Sequence, residues 1–272
     1  MVAQAALRTA TSTADSLLSV RAVSVRFGGI VALDGVSFDV ASGEIAGLIG
    51  PNGAGKTTLF NCLSGFQVPD EGGMLFGGVR LETRAPDQIA ALGLARTFQT
   101  SRVFKRMTVL EHVLIGRYRH QRAGLWGAVA RPRWVADEEE AARARGLATL
   151  GLFEDRLLPR INDFADSLSY ANRRRLEIAR ALVSEPRLLL LDEPTAGMNP
   201  HETAGIVTLI QAIRDMGITV FLIEHDMKVI MNASDRIIVL DHGEKIAEGL
   251  PGEIRANEDV IQAYMGRRGA RA

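Results

Sequence analysis

The run from Gly50 to Thr58, GPNGAGKTT, constrains this chain more than any other stretch, because it fits G-x-x-x-x-G-K-[ST] between a strand-like and a helix-like segment. Ahead of it, Ile45 to Gly50 (IAGLIG) is a continuous apolar run ending in glycine, the pattern of a buried strand. Behind it, TTLFNCLSG reads as a helix. Strand, glycine loop and helix in that order build a phosphate cradle. Glycines let backbone N–H groups turn inward around phosphate oxygens, and the helix N-terminus adds the positive end of its dipole. In such a loop Gly50, Pro51, Asn52, Gly53, Ala54, Gly55 and Thr58 surround the phosphates. Lys56 reaches the β- and γ-phosphates, and Thr57 ligates Mg2+.

A second apolar run, RLLLLDEP, reads as a buried strand that delivers Asp192 and Glu193 at its C-terminal end. In an open α/β sheet that is the edge where ligands bind. Asp192 suits a Mg2+ shell, and Glu193 is placed to polarise a water for in-line attack on a γ-phosphate. The two motifs together predict a P-loop NTPase with an α/β, RecA-like core.

The rest of the chain fits that expectation. Leu17 to Val40 shows short β-type runs broken by Gly29 and Gly35, which predicts antiparallel strands. EGGMLFGGVR reads as a glycine-rich turn region, Pro86 to Leu92 as a short helix and LARTF as a strand. Between Thr100 and Ser167 the texture turns helical, with TVLEHVLIGRY and DEEEAARARGLATLGL on either side of an interruption holding Trp126, Pro132 and Trp134. The predicted organisation is a disordered tail over 1–16 and one domain over 17–272. Within that domain, 17–99 and 168–272 form the α/β core with an antiparallel β subdomain, and 100–167 form an inserted α-helical subdomain.

Composition removes several other classes. Lys plus Arg (32) equals Asp plus Glu (32) over 272 residues, so no net field argues for nucleic acid. A single cysteine, Cys62, leaves no internal disulfide framework and reads as a small apolar residue on a buried helix. The longest apolar runs, Leu188 to Leu191 and Ile218 to Ile223, fall short of the roughly 20 residues of a membrane-spanning helix. The first sixteen residues lack the apolar stretch of a secretory signal.

Four further segments, in this order, make the chain resemble the ATPase subunits of ABC transporters from about Leu17 to the C-terminus. Gln99 in ARTFQTSRVF matches that family's Q-loop, which senses Mg2+ and the permease. LSYANRRRLEIARAL, Leu168 to Leu182, stands where the signature helix does. TAGMNP matches the D-loop, and His225 in LIEHDM matches the switch histidine that contacts the γ-phosphate. Phe27 in VRFGG lies where the family stacks an aromatic on adenine. The resemblance implies an ATP- and Mg2+-dependent ATPase on the cytoplasmic face of the inner membrane, without nucleic acid. It also implies transmembrane permease subunits, a second ATPase as homo- or heterodimer, and indirectly a solute-binding protein.

The family's signature usually reads Leu-Ser-Gly-Gly-Gln, whereas Ser169, Tyr170, Ala171 and Asn172 follow Leu168 here. Ala171 keeps the backbone N–H but adds a methyl group where backbone must approach the partner's ATP. Either that composite site turns over more slowly, or a small alanine fits at little cost. The triple Arg173 to Arg175 reads as a solvated or phosphate-facing surface, and Trp126 and Trp134 as packing residues or permease contacts. The form of the D-loop, the long helical lobe and the closing EGLPGEIRANEDVIQAYMG resemble the longer ATPase of branched-chain amino acid importers. The ATPases of lipopolysaccharide export and of urea or amide import share a similar tail. A non-transport ABC ATPase, or a regulatory module that binds ATP without hydrolysing it, completes the alternatives.

Overall fold

A computed structural model describes residues 16–97, 103–118 and 132–269. Gln99 and Trp126, and the expected tail up to residue 15, lie outside the described residues. The chain divides into two compact units, one of residues 1–92 and 210–272 and the other of residues 93–209.

In chain order the first unit opens with β1 (Ser16–Phe27), β2 (Ile30–Ala41), β3 (Ile45–Ile49) and α1 (Lys56–Leu63). It continues with β4 (Glu71–Phe76), β5 (Val79–Arg80) and α2 (Pro86–Ala91). The second unit holds β6 (Leu94–Arg96), α3 (Val109–Ile115), α4 (Arg133–Gly151), α5 (Glu154–Leu157), α6 (Tyr170–Leu182) and β7 (Leu188–Asp192). Helix α7 (Pro200–Asp215) runs across the boundary. The first unit is then completed by β8 (Thr219–Ile223), α8 (Met227–Ala233), β9 (Arg236–Asp241), β10 (Glu244–Gly249), α9 (Pro251–Ala256) and α10 (Glu258–Gly269).

Two sheets build the first unit. One is antiparallel, in the order β2, β1, β4, β5. In the other, β3 lies parallel between β9 and β8, and β10 pairs antiparallel with β9. Every residue of β3 and of β8 is buried, without the alternation of a half-exposed strand, as parallel strands covered on both faces require. The α/β class predicted from the segment pattern is therefore observed. Phe221 of β8 anchors the core, with the ring of Phe38 at 5.5 Å and that of Phe60 at 5.2 Å. Cys62 is buried on α1, as expected, and burial pushes its thiol up to about 12.

Close packing against β3 leaves no room at Gly47. A Cβ there would stand 2.6 Å from Ser234 Oγ and 2.8 Å from Ile230 Cγ1. Gly47→Ala is thus expected to destabilise the fold by about 1–3 kcal/mol through overpacking, read as a lower urea midpoint at unchanged slope.

The glycine-rich segment read as turns departs from expectation: it forms β4 and β5, joined at Gly77 and Gly78 with φ of 54° and 81°. Positive φ at both central residues matches the twist of a two-residue hairpin, and Met74 and Phe76 face the core on either side of exposed Leu75.

In the second unit β6 and β7 pair in parallel. Helix α3 starts at a capping box, where Thr108 Oγ1 accepts from the Glu111 N–H and Glu111 Oε2 accepts from the Thr108 N–H. Helix α6 packs through Ala171, Arg174, Arg175, Ile178, Ala179 and Leu182. Two of the three arginines read as a solvated or phosphate-facing surface are therefore buried. Arg174 Nη1 pairs with Glu177 Oε2 at 3.3 Å, both side chains under 5% exposed, and its guanidinium carbon lies 5.5 Å from the centre of the Tyr170 ring. Trp134 is half exposed on α4.

Candidate functional site

The glycine loop follows β3 directly, and its shape depends on residues without side chains. Gly55 caps α1 with φ of 99°, a left-handed conformation that costs other residues about 1–2 kcal/mol. Its missing Cβ would lie 2.4 Å from the Ala32 carbonyl oxygen. Lys56 is buried, and its Nζ folds back to donate to the carbonyl oxygens of Gly50 at 2.6 Å and Pro51 at 2.9 Å. The ammonium is thus held over the loop. Asn52, Gly53 and Thr57 are exposed, Thr58 and Gly55 half-buried, and Pro51 and Ala54 buried beneath them. A glycine-rich loop at a helix N-terminus beside a held ammonium is chemistry suited to a polyphosphate.

In the register of β3 against β8, Leu48 pairs with Ile223. Gly50 and His225 each follow two residues later, so the first unit sets both at the C-terminal edge of neighbouring parallel strands. His225 is exposed, with Nδ1 3.9 Å from Oε2 of the fully buried Glu224. Phe27 ends β1 and is 50% exposed, so it is not a core residue. It pairs with exposed Ile30 across the hairpin, beside exposed Val31, giving an apolar platform suited to a flat ring. The same strand, β2, carries the Ala32 carbonyl that abuts Gly55.

In the second unit β7 ends in Asp192, which is buried, followed by half-buried Glu193. Glu193 has φ of 48°, a left-handed conformation that is uncommon outside glycine and clusters at functional sites. A residue the sequence reading passed over lies against Asp192. Arg96 Nη2 donates to Asp192 Oδ2 at 3.2 Å with both side chains nearly buried, and Thr97 Oγ1 accepts from the Asp192 N–H. Burial pushes the Asp192 carboxyl above its ordinary range, against the pull of Arg96. Burial likewise lowers Arg96, opposed by the bond to Asp192. The only signal in the sequence was a charged residue inside the short strand LARTF.

Ser169 caps α6, its Oγ accepting from the Asn172 N–H at 3.4 Å. A Cβ on Gly197 would stand 3.5 Å from the Tyr170 ring, so the 168–172 segment and TAGMNP meet within this unit. Ala171 is 4% exposed, its methyl group accommodated inside the packing of the unit. Among the described residues no three His, Cys, Asp or Glu side chains converge on a metal position. Mg2+ held by one carboxylate, a hydroxyl and substrate phosphates needs no such cluster, and buried Asp192 and exposed Thr57 are donors of that kind.

Comparison with known proteins agrees with these features. Residues 33–196, more than half of the chain, match the family described as "ABC transporter". Residues 244–270 match the family described as "Branched-chain amino acid ATP-binding cassette transporter". The chain is 45% identical over 254 residues to the high-affinity branched-chain amino acid transport ATP-binding protein LivG of Escherichia coli (strain K12), covering 92% of this chain and 98% of that one. It is 43% identical over 252 residues to the corresponding protein BraF of Pseudomonas aeruginosa, with the same coverage. A crystal structure of the ADP conformation of an ATP-binding cassette of an ABC transporter superposes with a TM-score of 0.80 at 32% identity, covering 92% of this chain and 99% of the other. A dimeric cassette in a post-hydrolysis state with ADP and Pi gives 0.71 at 26% identity, covering 86% and 98%. The chain belongs to the ABC transporter family.

Proposed function

We propose that this chain is the ATP-hydrolysing subunit of an importer of branched-chain amino acids, working as one of a pair of ATPases beneath membrane-spanning permease subunits. The observation that carries the cargo class is the match of residues 244–270, beyond the part common to ABC transporters, to a branched-chain family. Near-complete coverage of LivG and BraF supports the same reading. No helix among the described residues is long and apolar enough to cross a membrane. A solute-binding protein delivers the cargo, and the ATPases act on the cytoplasmic face of the membrane.

In this reading the site residues divide the work. The loop from Gly50 to Thr58 holds the phosphates, Lys56 exchanging the Gly50 and Pro51 carbonyls for phosphate oxygens. Phe27 stacks on the adenine. Mg2+, when bound, neutralises phosphate charge as the γ-phosphate leaves. Thr57, Asp192 and Gln99 would hold it, the Asp192 carboxylate now paired with Arg96 being the acidic donor. Glu193 takes a proton from the attacking water, and His225 contacts the γ-phosphate. Ser169, Tyr170, Ala171 and Asn172 face the nucleotide of the partner ATPase. The core over 17–99 and 168–272 carries the chemistry, and the helical part over 100–167 receives the permease.

The test is isolation of the tagged chain from detergent-solubilised membranes, followed by uptake assays on the complex in liposomes. The expected result is copurification of two polytopic subunits and a second ATPase, with ATP-driven uptake of leucine when the cognate binding protein is supplied. Copurification without leucine uptake would overturn the cargo. Ribosomal or DNA-repair partners alone would overturn transport.

A further inference from the structure

The second unit contains a cavity of about 220 Å³ that the ATPase reaction does not use, lined by Leu152, Phe153, Arg156, Arg175, His201 and Leu209. Its chemistry is divided. Phe153 and Leu209 are buried and Leu152 is partly exposed, and together they form an apolar wall. Two guanidiniums and an imidazole form the rest.

Arg175 is 8% exposed yet, among the described residues, makes a single hydrogen bond, from Nη1 to Asn172 Oδ1 at 3.1 Å. An arginine carries five N–H donors, and a buried one is ordinarily paired with a carboxylate. Among the described residues, neither Arg175 nor Arg156 forms an ion pair with a carboxylate. Instead the pair faces itself: burial lowers Arg175 most, the charge of Arg156 lowers it further, and Glu202 opposes both. Two like charges beside an apolar wall, with donors left over, form a site that an anion would relieve.

We propose that this cavity binds a small carboxylate carrying a short aliphatic group. The carboxylate would sit between Arg156 and Arg175, whose planar forks suit it, and the aliphatic group would lie against Phe153, Leu152 and Leu209. A bare phosphate would present hydrated oxygens to the apolar wall and lose them to desolvation. Because Arg175 also holds Asn172, an occupant would compete for the guanidinium that fixes the end of the 168–172 segment.

The test is a calorimetric titration of the full chain, without nucleotide, using 3-methylbutanoate as the probe and 3-methylbutanamide and inorganic phosphate as controls. Saturable binding of the carboxylate is expected, with each control weaker by about tenfold or more, as befits loss of a charge-assisted pair or of the apolar contact. Arg156 is exposed, so Arg156→Gln should keep the fold and weaken the carboxylate about tenfold. Gly205 is exposed on α7 and also lines the cavity, and a Cβ there would stand 3.4 Å from Arg175 Nη2. Gly205→Leu should therefore fill the space and abolish binding with no loss of thermal stability. No saturable binding, equal binding of the amide or of phosphate, or binding unchanged in both variants would overturn the proposal.

Discussion

Glu193→Gln is expected to lower ATP turnover by about 10²- to 10⁴-fold while leaving equilibrium ATP binding intact, because a positioned general base contributes about that factor and the amide keeps its shape. The setting of Glu193 makes the substitution a clean one. The residue follows β7 with φ of 48°, and glutamine meets the same backbone constraint as glutamate, so the strain is carried equally by both forms. Asp192 keeps its bond to Arg96 and its backbone bond to Thr97, since neither involves the Glu193 carboxylate. The measurement pairs steady-state phosphate release with equilibrium binding of a fluorescent ATP analogue. A further readout separates loss of the base from general damage: with ATP bound and uncleaved, the variant should accumulate as a closed dimer on size exclusion, whereas a merely unfolded variant would lose binding as well. Unchanged turnover would remove Glu193 from the role of base and leave another group to take the proton from the attacking water.

How much of this was legible in the sequence depends on the range of the interaction. The glycine loop, the two acids after RLLLLD and the buried strands are contiguous signals. Each is written in residues adjacent along the chain, so β3, α1, β7 and β8 appear where the periodicity predicts them. The segment from Glu71 to Arg80 was misread because its four glycines suppress strand propensity, although Met74 and Phe76 already carried a period of two. Arg174 and Arg175 were misread for a different reason. Their spacing from Ala171 and Ile178 put them on the buried stripe of α6, but charge argued for a solvated or phosphate-facing surface, and only the Glu177 partner explains how the burial of Arg174 is tolerated. The bond between Arg96 and Asp192 joins residues 96 positions apart, a separation at which no single-sequence pattern speaks. Gln99, on which the resemblance relied for contact with Mg2+ and permease, lies outside the described residues.

Gly55→Ala should abolish nucleotide binding at working concentrations and destabilise the first unit, a double effect that follows from one backbone position. Gly55 stands at φ of 99°, where an L side chain costs about 1–2 kcal/mol before any contact is counted. Its new methyl group would meet the Ala32 carbonyl oxygen at 2.4 Å and Leu33 Cδ2 at 2.7 Å. The leucine end can rotate, but the carbonyl belongs to β2, which pairs with β1 along its length, so the loop must move instead. Displacing the loop takes the N–H groups at the start of α1, and the Lys56 ammonium, away from the phosphates. Loss of two charge-assisted hydrogen bonds at about 1.5 kcal/mol each corresponds to about 100-fold in affinity. Gly53→Ala is the control. Gly53 shares a positive φ of 84°, but nothing lies within 4 Å of its missing Cβ, so that variant should pay only the backbone cost and keep measurable binding. Thermal unfolding with and without MgATP separates the two: Gly53→Ala should still gain stability on adding nucleotide, and Gly55→Ala should not. If Gly55→Ala bound ATP as tightly as the parent, the contact with Ala32 would not set the shape of the cradle, and the roles given to Lys56 and Thr57 by that shape would fall with it.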